Sequence, residues 1–305
     1  MGRYVLKRIG ASILTLFVVI SLTFFMMRAL PGGPFTDEKS LPPEVMKEVM
    51  ERYKMNDPLY EQYFDYIKNV LKLDLGPSYR YEGKTVNSLI EESFPISARI
   101  GGLAILFSLI IGIPIGVISA MKRGKIADKV ASIISVMGVT IPNFVLATIL
   151  IYIFILKLGW TSVGTAKGFS NLVLPAITLA GFPTAFIARI VRSSMLEVIQ
   201  QDYIKTAKAK GMSEKKVMYV HALKNALMPV LTYLGPLTAG ILTGSFVVEQ
   251  IFAIPGLGTY FVTSIQNRDY TTILGVTIFY SILLVTFNLI IDISYALLDS
   301  RIELE

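Results

Sequence analysis

The sequence has 305 residues, of which 53% are hydrophobic and only 17% are charged. Soluble domains carry about 25% charged residues, so this composition places the chain in a membrane. The lack of cysteine excludes disulfides, thiolate metal sites and a cysteine nucleophile, and one histidine, His221, cannot by itself form a zinc site or a catalytic triad. The net charge of +7 indicates membrane topology rather than nucleic-acid binding, because clustered Lys and Arg mark the cytoplasmic side of a membrane protein.

The first apolar segment, Ile9 to Met27, has nineteen residues without a charge and follows Arg3, Lys7 and Arg8. About twenty apolar residues in a helix cross a hydrocarbon core of about 30 Å. A cleaved signal peptide would have a shorter apolar core of about 7–15 residues. The sequence therefore predicts a retained transmembrane helix.

Residues 31–98 form a long polar excursion with twelve acidic and eight basic residues. Helices are predicted from about Leu41 to Tyr53 and from Pro58 to Leu71. The second has apolar residues on one stripe: Leu59, Tyr63, Tyr66, Ile67 and Val70. Because this excursion is net negative, we interpret it as an external helical loop.

Five more apolar segments follow: Ile100–Met121, Val130–Leu156, Leu172–Ala188, Val230–Val248 and Thr271–Ile291. With the first, they predict an all-α membrane protein of six transmembrane helices, built as a single transmembrane domain over residues 1–305. Basic residues concentrate near the amino terminus, in the turn 121–129 and in residues 189–229. By the positive-inside rule, these regions and both termini are cytoplasmic.

The cytoplasmic segment 189–229 lies between the fourth and fifth predicted spans. From Arg189 to Lys224 it has eight basic and three acidic residues. Its pattern predicts two short amphipathic helices with a turn at Gly211, the second capped by Ser213. One interpretation is a rigid bracket that binds another protein. The alternative is an ordinary basic loop that only sets orientation.

The six predicted spans contain no Asp, Glu, Lys, Arg or His, which argues against a self-contained proton antiporter. Glu249, at the edge of the fifth span, is predicted to be an interfacial carboxylate reaching water. Prolines at four positions are expected to bend helices: Pro114, Pro142, Pro183 and Pro236. Polar candidates for a translocation path, which could equally bond helix to helix, are Thr140, Asn143, Thr243, Ser245 and Asn288.

The stretch from Asp202 to Gly211, DYIKTAKAKG, followed by HALKNALMP from His221 to Pro229, closely resembles the cytoplasmic loop of binding-protein-dependent ABC importer permeases. The oligopeptide/dipeptide branch is the most similar. Further landmarks occur in the same order along the chain: Arg28–Pro34, Asp74–Ser78, Arg192–Ser194, Ile254–Gly258 and Asn267–Tyr270. The resemblance covers essentially the whole chain.

This resemblance implies a non-enzymatic subunit in a bacterial or archaeal cytoplasmic membrane, surrounded by lipid. Its partners would be a second homologous permease, two cytoplasmic ATPases and an external substrate-binding protein. The chain itself would bind no cofactor, since ATP and Mg²⁺ belong to the ATPases. Relatives in this branch carry peptides, but also nickel chelates and sugars. An ATPase-independent channel or secondary transporter is the competing class.

The resemblance also assigns the contact with the ATPases to ten residues: Asp202, Tyr203, Lys205, Thr206, Ala207, Lys208, Ala209, Lys210, Gly211 and Ser213. Ala207 and Ala209 are small, so this helix is expected to lie close in a cleft on an ATPase. Lys205 stands where the general signature of these importers has Glu, and Thr206 replaces its first Ala.

Overall fold

The computed structural model describes residues 2–29, 47–48, 50–51, 55–164, 166, 168–242 and 244–298. We number its helices in chain order. They are α1 Gly2–Ala29, α2 Leu59–Leu71, α3 Val86–Met121, α4 Ile126–Thr140, α5 Asn143–Lys157, α6 Phe169–Val198, α7 Asp202–Ala209, α8 Glu214–Ala226, α9 Met228–Leu242, α10 Phe246–Ile251, α11 Leu257–Gln266 and α12 Tyr270–Leu298. No β-strand occurs in these residues, and one isolated bridge joins Pro77 to Thr85. The prediction of an all-α fold is confirmed.

Four helices, α1, α3, α6 and α12, are each long and apolar enough to cross a membrane. Two bent pairs, α4 with α5 and α8 with α9, pass the same test together. The described part of the chain therefore has four candidate spans, or six if each bent pair crosses the membrane once.

The third predicted span, Val130–Leu156, is not one straight helix. It breaks between α4 and α5, whose axes differ by 104°. The break lies at Ile141, which has an extended backbone, and Pro142. Proline has no N–H for the helix and disfavours a helical residue before it, so the chain turns here. The other three prolines of the predicted bends lie inside helices that continue past them, α3, α6 and α9.

The predicted fifth span, Val230–Val248, also has wrong bounds. Its helix, α9, begins at Met228 and ends at Leu242. Gly244 has a φ of +86°, a conformation that is incompatible with a continuing right-handed helix. The short helix α10 then starts at Phe246, and the Ser245 hydroxyl accepts a bond from its Val248 N–H.

The centre of the bundle is the contact between α3 and α6, the most extensive between any two described helices. A Cβ at Gly116 of α3 would lie 2.6 Å from the carbonyl oxygen of Ala188 on α6. The absence of a side chain there lets the two backbones approach closely, as small residues do in other membrane helix pairs. The largest buried cluster extends from this contact toward α7, α8 and α9.

Helix α2 confirms the predicted helix from Pro58 to Leu71, with Pro58 at its N-cap. Tyr63 and Tyr66 of its apolar stripe contact α1, whereas Leu59 is exposed. The Tyr63 hydroxyl lies 2.6 Å from that of Ser21, and the rings of Tyr66 and Phe24 stack with centroids 5.8 Å apart. Of the other predicted helix, Leu41 to Tyr53, residues 47, 48, 50 and 51 are helical and the remainder lies outside the described residues.

Candidate functional site

The segment after α6 forms two helices, α7 and α8, joined by a tight turn. Gly211 in this turn has a φ of +76°, which costs a residue with a side chain about 1–2 kcal/mol. Glycine adopts it freely. The predicted pair of helices with a turn at Gly211 is therefore confirmed. We call residues 202–226 the bracket.

The bracket is fixed to the bundle by one face of each helix. Ile204 of α7 is 0% exposed and Ala207 is 6% exposed. Val217 and Met218 of α8 are also buried, and all four belong to the same apolar cluster as Met195 of α6. Burial of about 1.5–3 kcal/mol per large apolar side chain holds such an element in place. The bracket is thus part of the packed body of the protein.

The opposite face of α7 is open to solvent and carries most of the residues that the resemblance assigns to the contact with the ATPases. Its exposed residues are Asp202, Tyr203, Lys205, Thr206, Lys208, Ala209 and Lys210. The expectation that Ala207 lies against an ATPase is wrong, because Ala207 faces inward and is buried. Its small side chain lets α7 approach the bundle of its own chain. On α8, Tyr219 and Val220 are 52% and 55% exposed. The outer surface of the bracket therefore combines lysines with exposed aromatic and aliphatic side chains.

Two side-chain contacts order this outer surface. The Asn225 amide donates to the Tyr203 hydroxyl over 2.7 Å, which ties α8 to α7. Lys205 pairs with Asp202 at 2.8 Å, but both side chains are largely exposed, and such pairs contribute only about 0–1 kcal/mol. Ser213 occupies the N-cap position of α8 without a side-chain capping bond, so the predicted hydroxyl cap is absent.

A partly buried ion pair connects the turn between α3 and α4 to the helix that leads into the bracket. Arg192 of α6 donates to both carboxylate oxygens of Asp128, which also accepts from the Ser119 hydroxyl and the Gly124 N–H. Asp128 is 6% exposed. Bonds between two charged groups are roughly twice as strong as bonds between neutral ones. Sequence reasoning missed the pair, although Asp128 is the one acid in a basic turn.

The five candidates for a translocation path are not gathered in one place. Thr140 and Asn143 flank the break between α4 and α5, and Asn143 lines a cavity of about 280 Å³ formed by α3 to α6. Ser245 caps α10, whereas Asn288 lines a separate cavity between α1 and α12. Thr243 lies outside the described residues.

Glu249 is not an interfacial carboxylate, contrary to the sequence prediction. It is 2% exposed and accepts bonds from the Ser97 hydroxyl at 2.7 Å and the Thr259 N–H at 3.0 Å. The Ser97 hydroxyl in turn accepts from the Leu257 N–H. Glu249 thus accepts from a backbone N–H in the first turn of α11, which has no acceptor within the helix. The local sequence does not indicate this contact between distant parts of the chain.

Two landmarks of the sequence, Asp74–Ser78 and Asn267–Tyr270, meet at the other end of the bundle. Asp269 is 0% exposed and accepts from the hydroxyls of Ser78 and Thr272 and from the Tyr79 N–H. It therefore caps α12 and fastens the loop before α3 to that helix.

A helical body with four to six candidate spans, carrying a packed bracket with an open basic face, defines a multi-pass α-helical membrane protein. Residues 112–304 match the family of binding-protein-dependent transport system inner membrane components, and residues 1–100 match the N-terminal model of the same components. The chain belongs to this family, and it is a multi-pass inner-membrane transport component.

Curated relatives cover the whole chain. The dipeptide transport system permease protein of Bacillus subtilis is 47% identical over 304 residues, covering 100% of this chain and 99% of its own. The oligopeptide transport system permease protein of Escherichia coli K12 is 43% identical over 305 residues, covering 99% of this chain and 100% of its own.

Solved structures share the fold at low identity. An amino acid ABC transporter chain superposes with a TM-score of 0.56 at 19% identity, covering 70% of this chain and 95% of its own. A chain of an inward-facing methionine ABC transporter superposes with a TM-score of 0.52 at 19% identity, covering 67% of this chain and 95% of its own.

Proposed function

We propose that this chain is the permease subunit of an ATP-driven, binding-protein-dependent importer of dipeptides or oligopeptides. The substrate class is supported by the names of the relatives, which are dipeptide and oligopeptide permeases over their full length. The chain contributes a conduit and no catalysis. ATP and Mg²⁺ are bound by partner ATPases.

The orientation follows from charge. The bracket and the turn between α3 and α4 carry clustered Lys and Arg, which supports a cytoplasmic position for them and for both termini. The polar excursion 31–98, including α2, then lies outside the cell, where a substrate-binding protein delivers its ligand. A second permease completes the path across the membrane.

One observation supports the proposal: the bracket is packed against the bundle on one face and exposes apolar and basic side chains on the other. Tyr203, Tyr219 and Val220 are exposed, and aromatic and aliphatic side chains form the cores of protein interfaces. Exposed lysines of α7, Lys205 and Lys208, belong to the same bracket. Complementary charge speeds the encounter with an acidic partner more than it tightens binding. An ATPase is the partner that this surface fits, with α7 as the coupling helix.

The same contacts supply a route for movement. α6 runs into the bracket, and the Asp128–Arg192 pair ties α6 to the beginning of α4. At its far end α4 reaches the 104° break beside Asn143. Displacement of the bracket by the ATPases would therefore be transmitted to the break. We assign Thr140 and Asn143 to the translocation path on this basis.

Reconstitution in vesicles tests the proposal. The full complex of two permeases, two ATPases and the binding protein should accumulate dipeptides or oligopeptides only when ATP is hydrolysed. The chain alone should accumulate neither. Concentration of solute by the isolated chain would identify a secondary transporter, and passive flux through it would identify a channel. Either result would overturn the proposal, as would failure of the bracket to retain ATPases during purification.

A further inference from the structure

A second cavity, of about 280 Å³, lies at the end of the bundle that carries α2. It is lined by residues of α1, α2, the loop 74–79 and the beginning of α12. The Val86 N–H bonds the carbonyl of Gly76 in that loop, so the cavity adjoins the first turn of α3. The last turn of α3 reaches the Asp128–Arg192 pair. The cavity is therefore at the opposite end of the bundle from the bracket.

Arg28 of α1 lines this cavity with an incomplete set of partners. Its Nη1 donates to the Gln62 side chain and to the sulfur of Met55, and its guanidinium lies 5.1 Å from the ring centroid of Phe24. Its Nε is buried without a hydrogen-bond partner. Among the described residues, no carboxylate forms an ion pair with Arg28.

Tyr66 of α2 lines the same cavity, and its hydroxyl is also buried without a partner. Burial raises the pKa of this phenol, so the group remains a protonated donor. An unsatisfied buried polar group costs about 1–3 kcal/mol, and more if it is charged. Two such donors beside one cavity indicate an acceptor that the described residues do not supply.

We propose that this cavity binds the free carboxylate end of a short peptide, with Arg28 and Tyr66 as its donors. The guanidinium supplies the charge and geometry that carboxylates prefer. Tyr79 and Tyr270 add aromatic walls for a side chain. The site rests on the function proposed above, and its orientation places it on the external face, before the path across the membrane.

Binding of Ala-Phe and of its C-terminal amide to the full-length chain in lipid nanodiscs, measured by titration calorimetry, tests the site. The two probes differ only in the carboxylate. We expect the acid to bind at least tenfold more tightly than the amide. Tyr66→Phe removes one donor without changing the ring. It should weaken binding of the peptide acid about three- to tenfold and leave binding of the amide unchanged. Arg28→Gln should abolish the preference for the acid.

Tyr280→Phe is the matched control, because the Tyr280 hydroxyl is likewise buried without a partner but does not line this cavity. It should leave both affinities unchanged. Equal affinities for acid and amide, equal effects of the two tyrosine substitutions, or no binding of either probe would overturn the site. If neither probe binds and Arg28→Gln impairs docking of the binding protein, the acceptor is an acidic group of that partner and the peptide site is wrong.

The failure of this site is distinguishable from failure of the importer. If Tyr66→Phe and wild-type chains bind Ala-Phe equally while the complex still takes up peptide, only the carboxylate site is wrong. If the wild-type chain prefers the acid but the reconstituted complex shows no ATP-dependent uptake, only the importer proposal is wrong.

Discussion

Arg192 and Asp128 form a bidentate ion pair, with nitrogen–oxygen distances of 2.8 and 3.0 Å, although 64 residues separate them. The pair joins the helix that leads into the bracket to the helix that ends at the break beside Asn143. Its buried carboxylate and its additional bonds to Ser119 and Gly124 make it a structural joint between the two.

Asp128→Asn should break this joint. The amide keeps the shape but loses the charge and one acceptor, leaving Arg192 without a counter-ion. Breaking a fully buried pair costs about 3–5 kcal/mol. Because the Arg192 side chain is 33% exposed, we expect about 2 kcal/mol, measured as a lower midpoint of thermal unfolding in detergent.

The matched control is Asp202→Asn, which removes an exposed pair with Lys205 and should change stability by less than about 0.5 kcal/mol. Equal midpoints for the two variants would show that the buried pair contributes nothing to the joint.

Gly211→Val should uncouple ATP hydrolysis from peptide uptake. A β-branched residue at a φ of +76° is strained, so the turn would relax and displace α7 relative to α8, while burial of Ile204 keeps the bracket attached. We expect ATPase activity and assembly to persist and uptake to fall at least tenfold in vesicles.

Gly83→Val is a close control for backbone strain. Gly83 has a φ of +72°, and a Cβ at this position, as at Gly211, would meet no atom within 4 Å. It lies in the loop before α3, away from the bracket. Normal uptake by Gly211→Val, or an equal loss in Gly83→Val, would argue against a coupling role of the turn.

Leu substitutions at Ala207 and Ala209 of α7 should have different effects: the first should lower the stability of the chain, and the second should weaken binding of the ATPases. Ala207 is buried, so a larger side chain overpacks the core and costs about 1–3 kcal/mol. Ala209 is exposed, so Ala209→Leu should leave the unfolding midpoint unchanged and weaken copurification of the ATPases. The assignment of the outer face fails if Ala209→Leu destabilises the chain or if it retains the ATPases as wild type does.

Glu249→Ala should destabilise the region between α9 and α12. It leaves the Thr259 N–H and the Ser97 hydroxyl without their acceptor, and each unsatisfied group costs about 1–3 kcal/mol. We expect a loss of about 3 kcal/mol, read from thermal unfolding and from faster hydrogen exchange in α11.

Glu92→Ala serves as the comparison, because its pair with Lys84 is exposed. It should be nearly neutral. A stable Glu249→Ala variant would show that the buried carboxylate is not needed to hold α11.

Local sequence patterns were sufficient for several features of this protein. The apolar runs and the clustered basic residues predict an all-α membrane protein, and the pattern around Gly211 predicts the bracket, since helix period, turn chemistry and charge are properties of neighbouring residues. The resemblance to importer permeases, also read from short motifs, agrees with the family that the whole chain matches.

Only the tertiary structure decided which side chains face which surface and which distant residues meet. Ala207 faces inward because α7 packs one side on the apolar cluster of the bundle, while Glu249 is buried because Ser97 and the start of α11 supply its donors. Ser78 and Asp269 are 191 residues apart. Such contacts depend on how helices pack, and a carboxylate has the same local sequence signal whether it ends in water or among buried donors.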